Sequence, residues 1–369
     1  MKSILSSLST LEGFRPAEPG EFTRLAFDNG RMDLTEVEGL RDLIESETDM
    51  QRKIALRQAG GQMRKAYESM RLDIISAMSV MEAIIDFGED EGIDDNAYEA
   101  ARQRVVRLRK SILKYLETAS QVEVIRNGIR LAIFGAPNAG KTQREASIVT
   151  GHPGTTRDVI ELSLDFHGYP LIVLDTAGLR ETCDDVEGIG VERARKAVES
   201  ADIKMCVVSV PEALAYSAHG ILDPMTASLV DSETLYVLNK TDTSPVDEET
   251  LTYISTRLPS HPSHNRIVPV SVRLQQGLKD VSQLLLQVIS ERFAAGLGEA
   301  LIVTRERHRF HLQECLQSLE AFLDIDVTVD VVGAAEELRY AAQALGKVTG
   351  QVQVDDVLDE LFQSFCIGK

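Results

Sequence analysis

The sequence predicts an α/β nucleotide-binding domain inserted into an all-α domain. Three observations carry this. Short apolar runs alternate with helical segments after Asn127-Gly128, and long amphipathic helical patterns occupy the chain on both sides of that region. A Gly-rich turn, Gly135-Ala-Pro-Asn-Ala-Gly-Lys141-Thr142, directly follows the first apolar run and fits G-x-x-x-x-G-K-[ST] at every fixed position.

Composition narrows the class. A length of 369 residues suffices for two or three domains, and 43% hydrophobic content without low-complexity tracts indicates a globular chain. No apolar run approaches the ~20 residues that span a bilayer. A formal charge of −19 disfavours nonspecific nucleic-acid binding through net charge and leaves room for local basic patches. Cys183, Cys206, Cys315 and Cys366 are far apart with no C-x-x-C pair, which argues against a disulfide framework or a cysteine metal site. The opening MKSILSSLSTLEGF reads as neither a secretory signal nor a transit peptide.

The helical pattern begins near Met32. From Met50 to Phe87, apolar residues at Ile54, Met63, Met70, Ile74, Met78, Met81 and Ile85 predict one long amphipathic helix, weakened at Gly60-Gly61. The methionine stripe reads as core packing. The acidic stretch Gly88–Asp95 breaks the helix, and a second runs from about Tyr98 to Val124. That helix carries Arg102, Arg104, Arg107, Arg109, Lys110 and Lys114, which read either as solvated surface or as phosphate contacts.

Six strands are then expected at Leu131–Phe134, Ile160–Phe166, Leu171–Leu174, Met205–Val210, Leu235–Leu238 and Ile267–Val270. The turn His167-Gly168-Tyr169-Pro170 pairs the second and third as a hairpin. Helices at Ile189–Ser200, Asp223–Val230, Glu248–Arg257 and Leu278–Phe293 separate most of the others, which gives a mostly parallel sheet. Thr304–Leu323 and Ala334–Gly346 are again amphipathic helices, and Asp355–Phe362 begins the last one.

The motifs that follow the Gly-rich turn specify its chemistry. Backbone N–H groups of such a turn cradle phosphate oxygens, with Lys141 reaching the β- and γ-phosphates and the Thr142 hydroxyl ligating Mg²⁺. Asp175-Thr176-Ala177-Gly178 ends the third strand, where Asp175 holds Mg²⁺ through water and the Gly178 N–H faces a γ-phosphate. Thr156, within Gly154-Thr-Thr-Arg-Asp158, completes the Mg²⁺ sphere. Asn239-Lys240-Thr241-Asp242 closes the fifth strand. Its Asp242 carboxylate accepts the N1 and 2-amino protons of guanine, a pair that adenine does not offer, so the expected nucleotide is GTP. Ser271-Val272-Arg273 follows the sixth strand where a backbone N–H meets guanine O6, with Val272 in place of the more usual alanine. Leu179 stands where many GTPases place the glutamine that orients water. Catalysis then needs another water-positioning group, for which Glu187 in an acidic loop is a candidate, and another source of positive charge.

On these residues, with Pro19-Gly-Glu-Phe-Thr23, Arg31-Met-Asp-Leu34 and the terminal Phe365-Cys-Ile-Gly-Lys369, the chain resembles the MnmE/TrmE family of tRNA-modification GTPases, including its mitochondrial members. A prenylation signal at Cys366 is disfavoured, because Cys-Ile-Gly-Lys lacks a second aliphatic residue and a suitable last position. The resemblance implies a P-loop GTPase (G) domain over 126–290 inserted into a helical domain made of 31–125 and 291–369, with 1–30 a remnant of an N-terminal folate-binding, dimer-forming domain. It implies GTP hydrolysis on a site of Asn138, Ala139, Gly140, Lys141, Thr142, Thr150, Thr155, Thr156, Asp175–Gly178, Asn239–Asp242 and Ser271–Arg273. K⁺ takes the place of an arginine finger, bound by Asn138, Thr150, His152 (through its backbone) and Thr155 in a G-domain homodimer, and Glu187 orients water. Arg31 and Lys369 match positions lining a tetrahydrofolate one-carbon site, for 5-formyl- or methylene-tetrahydrofolate, and Cys366 matches a cysteine implicated in the modification. The implied partners are tRNA and a flavoprotein of the MnmG/GidA type, together forming an aminomethyl-type group at C5 of the wobble uridine. The implied location is the mitochondrial matrix, or the cytoplasm for a bacterial chain.

The chain departs from that family twice. It keeps only the end of the N-terminal domain, and Thr142 runs directly into Gln143-Arg-Glu-Ala-Ser-Ile-Val-Thr150 where the family carries about two further helical turns. Those turns bury an apolar face and aim a helix N-terminus at the phosphates. The expectation is weak GTP binding and poor hydrolysis. Two other readings stand beside the resemblance: a ribosome-assembly GTPase, which can share Gly154–Asp158 and the missing glutamine, and a GTP-binding fragment without catalytic competence.

Overall fold

The computed structural model describes residues 7, 10–87, 95–136, 139–140, 161–175, 192, 195–215, 221–259, 262–294, 304–327 and 329–351. The chain divides into a helical unit (Met1–Ser46, Gln51–Glu123, Gly296–Lys369) and an α/β unit (Glu47–Met50, Val124–Ala295). The second is thus inserted into the first.

In chain order the helical unit contains α1 (Glu21–Asp28), α2 (Leu34–Glu45), most of α3 (Asp49–Ala59), α4 (Gln62–Phe87) and α5 (Asp95–Asn127). The helix expected over Met50–Phe87 is therefore two helices. Gly61 adopts φ +77°, in the left-handed region that glycine enters at little cost, and the chain breaks there. A Cβ at that position would lie 2.7 Å from a Glu36 carboxylate oxygen, so the space beside the break is also taken.

Four long helices share one core with a 3.5-residue repeat. Buried positions step by four and three along α4 (Met63, Tyr67, Met70, Ile74, Ala77, Met81) and along the first turns of α5 (Ala101, Val105, Leu108, Ile112). The same steps recur in the two helices that follow the α/β unit, at Leu312, Cys315, Leu319 and Phe322 and at Ala334, Leu338, Ala341, Leu345 and Val348. This is the spacing of knobs-into-holes packing, so the methionine stripe is core. Burial pushes the Cys315 thiol up to about 12, which removes it as a nucleophile.

The α/β unit follows α5 with β1 (Ile129–Phe134), β2 (Glu161–Phe166), β3 (Tyr169–Asp175), β4 (Ile203–Ser209), α6 (Val210–Ala215), α7 (Pro224–Leu229), β5 (Leu235–Asn239), α8 (Glu248–Ser255), β6 (Ile267–Pro269) and α9 (Leu278–Ile289). All six expected strands are present. The sheet order is β2-β3-β1-β4-β5-β6, with only β2 and β3 antiparallel. Their two-residue turn is His167-Gly168, both at positive φ (52° and 90°), closed by the Gly168 N–H donating to Asp165 Oδ1 at 2.7 Å. Helix α6 was not expected, since Val210 reads as the end of a strand. Pro211 and Glu212 in its first turn are the signals for it. Of the helix expected at Ile189–Ser200, residues 195–199 are helical and most of the rest lies outside the described residues.

The helical unit closes with α10 (Glu306–Asp324) and α11 (Val331–Thr349), and the helix expected from Asp355 lies outside the described residues. Its two chain segments are joined by a buried polar knot. Glu38 on α2 is 3% exposed and takes His308 Nε2 at 2.8 Å and Arg307 Nη2 at 3.0 Å, with Arg305 Nε at 3.8 Å. Arg305 also pairs with Asp42 at 2.7 Å, and Arg307 donates to the carbonyls of Lys347 and Val348 at the end of α11. The knot sets two carboxylates against two guanidiniums and the His308 imidazole. Burial pushes the His308 imidazole down against the opposing pull of Glu38, and Nε2, the nitrogen that faces the carboxylate, carries a proton. Burial alone would push the Glu38 carboxyl up; the opposing His308, Arg307 and Arg305 outweigh it and hold the group at about 2.

A group depressed in the folded state stabilises above its unfolded value and loses that contribution as pH falls. Glu38→Gln is expected to cost about 3 kcal/mol in urea unfolding at pH 7. It is also expected to flatten the loss of stability that the unaltered chain shows between pH ~4.5 and the folded value of about 2.

Candidate nucleotide site

The candidate motifs of the α/β unit stand at the carboxyl ends of its strands. Gly135 follows β1, Asp175 is the last residue of β3, Asn239 the last of β5, and Ser271 comes two residues after β6. From β1 the chain runs to the edge strand β2 and back through β3 on one side, then crosses to β4, β5 and β6 on the other. The crevice above β1 is therefore the switch point at which open α/β sheets take ligands.

Gly135 fixes where the chain leaves the sheet. Its φ is +148°, and a Cβ there would lie 2.1 Å from the Val207 carbonyl oxygen on β4, so only glycine fits. The turn then brings Ala139, fully buried, under the end of β5.

Asn239 is the node of the site. It is 4% exposed, and its Nδ2 donates to the Ala139 carbonyl at 2.9 Å. Its Oδ1 accepts the Lys240 N–H at 2.8 Å and the Val272 N–H at 3.2 Å. One amide thus ties the phosphate turn, the N-K-T-D turn and the segment after β6. No carboxylate or hydroxyl offers both a donor and acceptors at these positions in fixed planar geometry.

Around it the residues expected to read guanine are assembled. Lys240 takes φ +69°, and the N–H groups of Thr243 and Ser244 return to its carbonyl, which turns Asp242 toward the segment after β6. The Thr241 N–H donates to the Val270 carbonyl at 3.2 Å. Ser271, fully buried, donates from Oγ to Asp242 Oδ1 at 2.8 Å. Asp242 Oδ2 faces Arg273 Nη1 at 3.9 Å; this guanidinium is 82% exposed and contributes little. The carboxylate is thus oriented through one oxygen and offers its remaining lone pairs to a ligand. Ser271 is itself held by a bridge to Gln276 and by the Leu274 N–H on its hydroxyl.

The structure brings Ala139, Gly140, Asn239, Lys240, Thr241, Asp242, Ser271, Val272 and Arg273 into this one region. Asn138, Lys141, Thr142, Thr150, His152, Thr155, Thr156, Thr176, Ala177, Gly178, Glu187, Cys366 and Lys369 lie outside the described residues, as does the Asp175 side chain. Arg31, in the helical unit, is exposed in the turn between α1 and α2, its N–H bonded to the Ala26 carbonyl at 2.8 Å.

Two further polar residues lie beside these turns. Glu212, on the unexpected helix α6, holds Lys240 Nζ at 3.1 Å. Ser209, in register with Asn239 across β4 and β5, is buried, and its Oγ has no hydrogen-bond partner among the described residues. A serine ending a buried apolar strand is the one signal that marks it.

Known proteins bear on this arrangement. The MnmE helical domain family matches residues 34–366. A tRNA modification GTPase MnmE from Paramagnetospirillum magneticum is 40% identical over 364 residues, covering 97% of this chain and 78% of that protein. The mitochondrial tRNA modification GTPase gtpbp3 of Dictyostelium discoideum is 36% identical over 399 residues, covering 99% and 76%. The mitochondrial 5-taurinomethyluridine-[tRNA] synthase subunit GTPB3 of Danio rerio is 37% identical over 383 residues, covering 100% and 76%. Matched from residue 34 to residue 366 and similar to these relatives along its whole length, the chain belongs to the MnmE family.

Proposed function

We infer that the chain is a guanine-nucleotide-binding hydrolase of tRNA modification. The observation that carries this reading is the Asn239 node, which couples the phosphate turn at Ala139 to an Asp242 already oriented by Ser271. The relatives named tRNA modification GTPases support the reaction class and an RNA substrate.

In this reading Lys141 meets the β- and γ-phosphates. Thr142, Thr156 and Asp175 hold Mg²⁺, a hard cation suited by hydroxyl and carboxylate oxygens. Asn138, Thr150, His152 and Thr155 hold K⁺ between two G domains, where it supplies a fixed positive charge, and Glu187 positions the water that Leu179 cannot. Arg31 and Lys369 serve a tetrahydrofolate one-carbon donor, Cys366 takes part in the modification, and a flavoprotein of the MnmG/GidA type is the partner. The mitochondrial names of the slime-mould and zebrafish relatives support the mitochondrial matrix as the location, although bacterial relatives are as similar. No helix among the described residues is long and apolar enough to cross a membrane.

Thr142 is followed at once by Gln143-Arg-Glu-Ala-Ser-Ile, a segment with no leucine to dock a helix on the sheet. GTP hydrolysis is therefore expected to be slow and little stimulated by KCl over NaCl, measured by phosphate release. Robust K⁺-stimulated turnover from this chain would contradict the proposed effect of that shortening. A separate expectation concerns base selection: Asp242→Ala weakens binding of a fluorescent guanine nucleotide about 100-fold and leaves the adenine analogue unchanged, because two charge-assisted hydrogen bonds are lost. Equal affinity of the unaltered chain for both nucleotides would overturn the guanine reading.

A further inference from the structure

The nucleotide site makes no use of α5, although this helix carries the densest positive charge in the chain. Residues 102–116 hold six Arg and Lys and no Asp or Glu, within a sequence of 39 basic and 58 acidic residues.

The fold divides those six. Arg104 pairs with Asp73 on α4 at 3.3 Å, and Arg109 with Glu320 on α10 at 2.7 Å. Arg102 lies against Tyr98, one turn earlier on α5. Val105, Leu108 and Ile112 bury the opposite side in the helical core. Two ion pairs and a buried seam therefore fix the rotation of the helix, and Arg107, Lys110 and Lys114 are left exposed on one face at i, i+3 and i+7. Arg107 and Lys110 have no acidic partner among the described residues. Like charges three and four residues apart destabilise a helix. An α5 shaped by stability alone would intersperse acids here, as this acidic chain does elsewhere.

At 1.5 Å per residue the three cations span about 10 Å. At B-form charge density, one duplex strand presents about three phosphates over that length. Exposed Gln103 and Ser111 lie on the same face, which exposed Glu99 and Glu117 bound at its two ends. We propose that this face of α5 docks the sugar-phosphate backbone of a structured RNA through Arg107, Lys110 and Lys114. The inference deepens the tRNA reading and rests on it. It assigns a contact that reads charge and backbone geometry rather than base sequence.

The test is fluorescence anisotropy of a labelled tRNA transcript titrated with the full chain between 50 and 200 mM salt. Arg107→Gln/Lys110→Gln/Lys114→Gln is expected to weaken binding at least 10-fold at low salt and to reduce the log K against log salt slope by about two to three. Arg107→Lys/Lys110→Arg/Lys114→Arg is expected to keep the slope, since the contact needs charge and not a particular cation. Unchanged helical circular dichroism and unchanged guanine-nucleotide affinity show that the neutralised chain is folded. If the unaltered chain binds tRNA and the neutralised one matches it in affinity and slope, the docking face is refuted while the RNA-substrate reading stands. Neutralisation that abolishes binding to a purified MnmG/GidA-type flavoprotein but leaves tRNA binding intact assigns the face to a protein contact and likewise refutes the proposal. If the unaltered chain binds no tRNA, both readings fall.

Discussion

A single side-chain amide sets the geometry of the α/β unit's working end. Asn239 is the last residue of β5, and its three hydrogen bonds reach the carbonyl of Ala139, the N–H of Lys240 and the N–H of Val272. These groups belong to three loops far apart in sequence, and each loop leaves the sheet by a turn that needs something to close on. The strand supplies that rigid point. Ser271 then adds the bond to Asp242 that points a carboxylate outward, while Gly135 lets the phosphate turn leave β1 against the backbone of Val207. Charge plays a small part here; the site is built from backbone groups and one amide held in a buried place.

The helical unit faces a different problem, since its helices come from both sides of a long insertion. The 3.5-residue seam runs through α4, α5, α10 and α11; α2 is not part of it and meets the first turn of α10 through polar contacts. The knot of Glu38, Asp42, Arg305, Arg307 and His308 links α2 to the residues that open α10. Burying two carboxylates and two guanidiniums gains little over apolar packing, yet removing one partner leaves the others uncompensated.

Much of this was legible in the sequence. Strand positions followed from short apolar runs, the hairpin from His167-Gly168, and the nucleotide motifs from fixed spacings that the sheet then placed at its strand ends. What was not legible involved partners distant in sequence. Nothing in Val37-Glu38-Gly39 says that its carboxylate will meet residues near 307, and a basic trio at 305–308 reads as surface until the helices are packed. The split between α3 and α4 failed for a local reason. Two glycines lower helix propensity by an amount that packing can override, and here Gly61 takes the left-handed backbone conformation that ends the helix. Helix α6 was masked because Val210 extends the apolar run of β4, which hid the proline signal behind it.

The proposed guanine selectivity requires Asp242 to meet two donors of the base while Asn239 holds the frame. Calorimetric titration of GDP, IDP and ADP into the unaltered chain tests it most directly, because the three share every phosphate contact and differ only at the base edge. The account predicts GDP tightest, IDP about 10-fold weaker for the loss of one hydrogen bond to a charged acceptor, and ADP weakest. Equal affinities for GDP and ADP would contradict it.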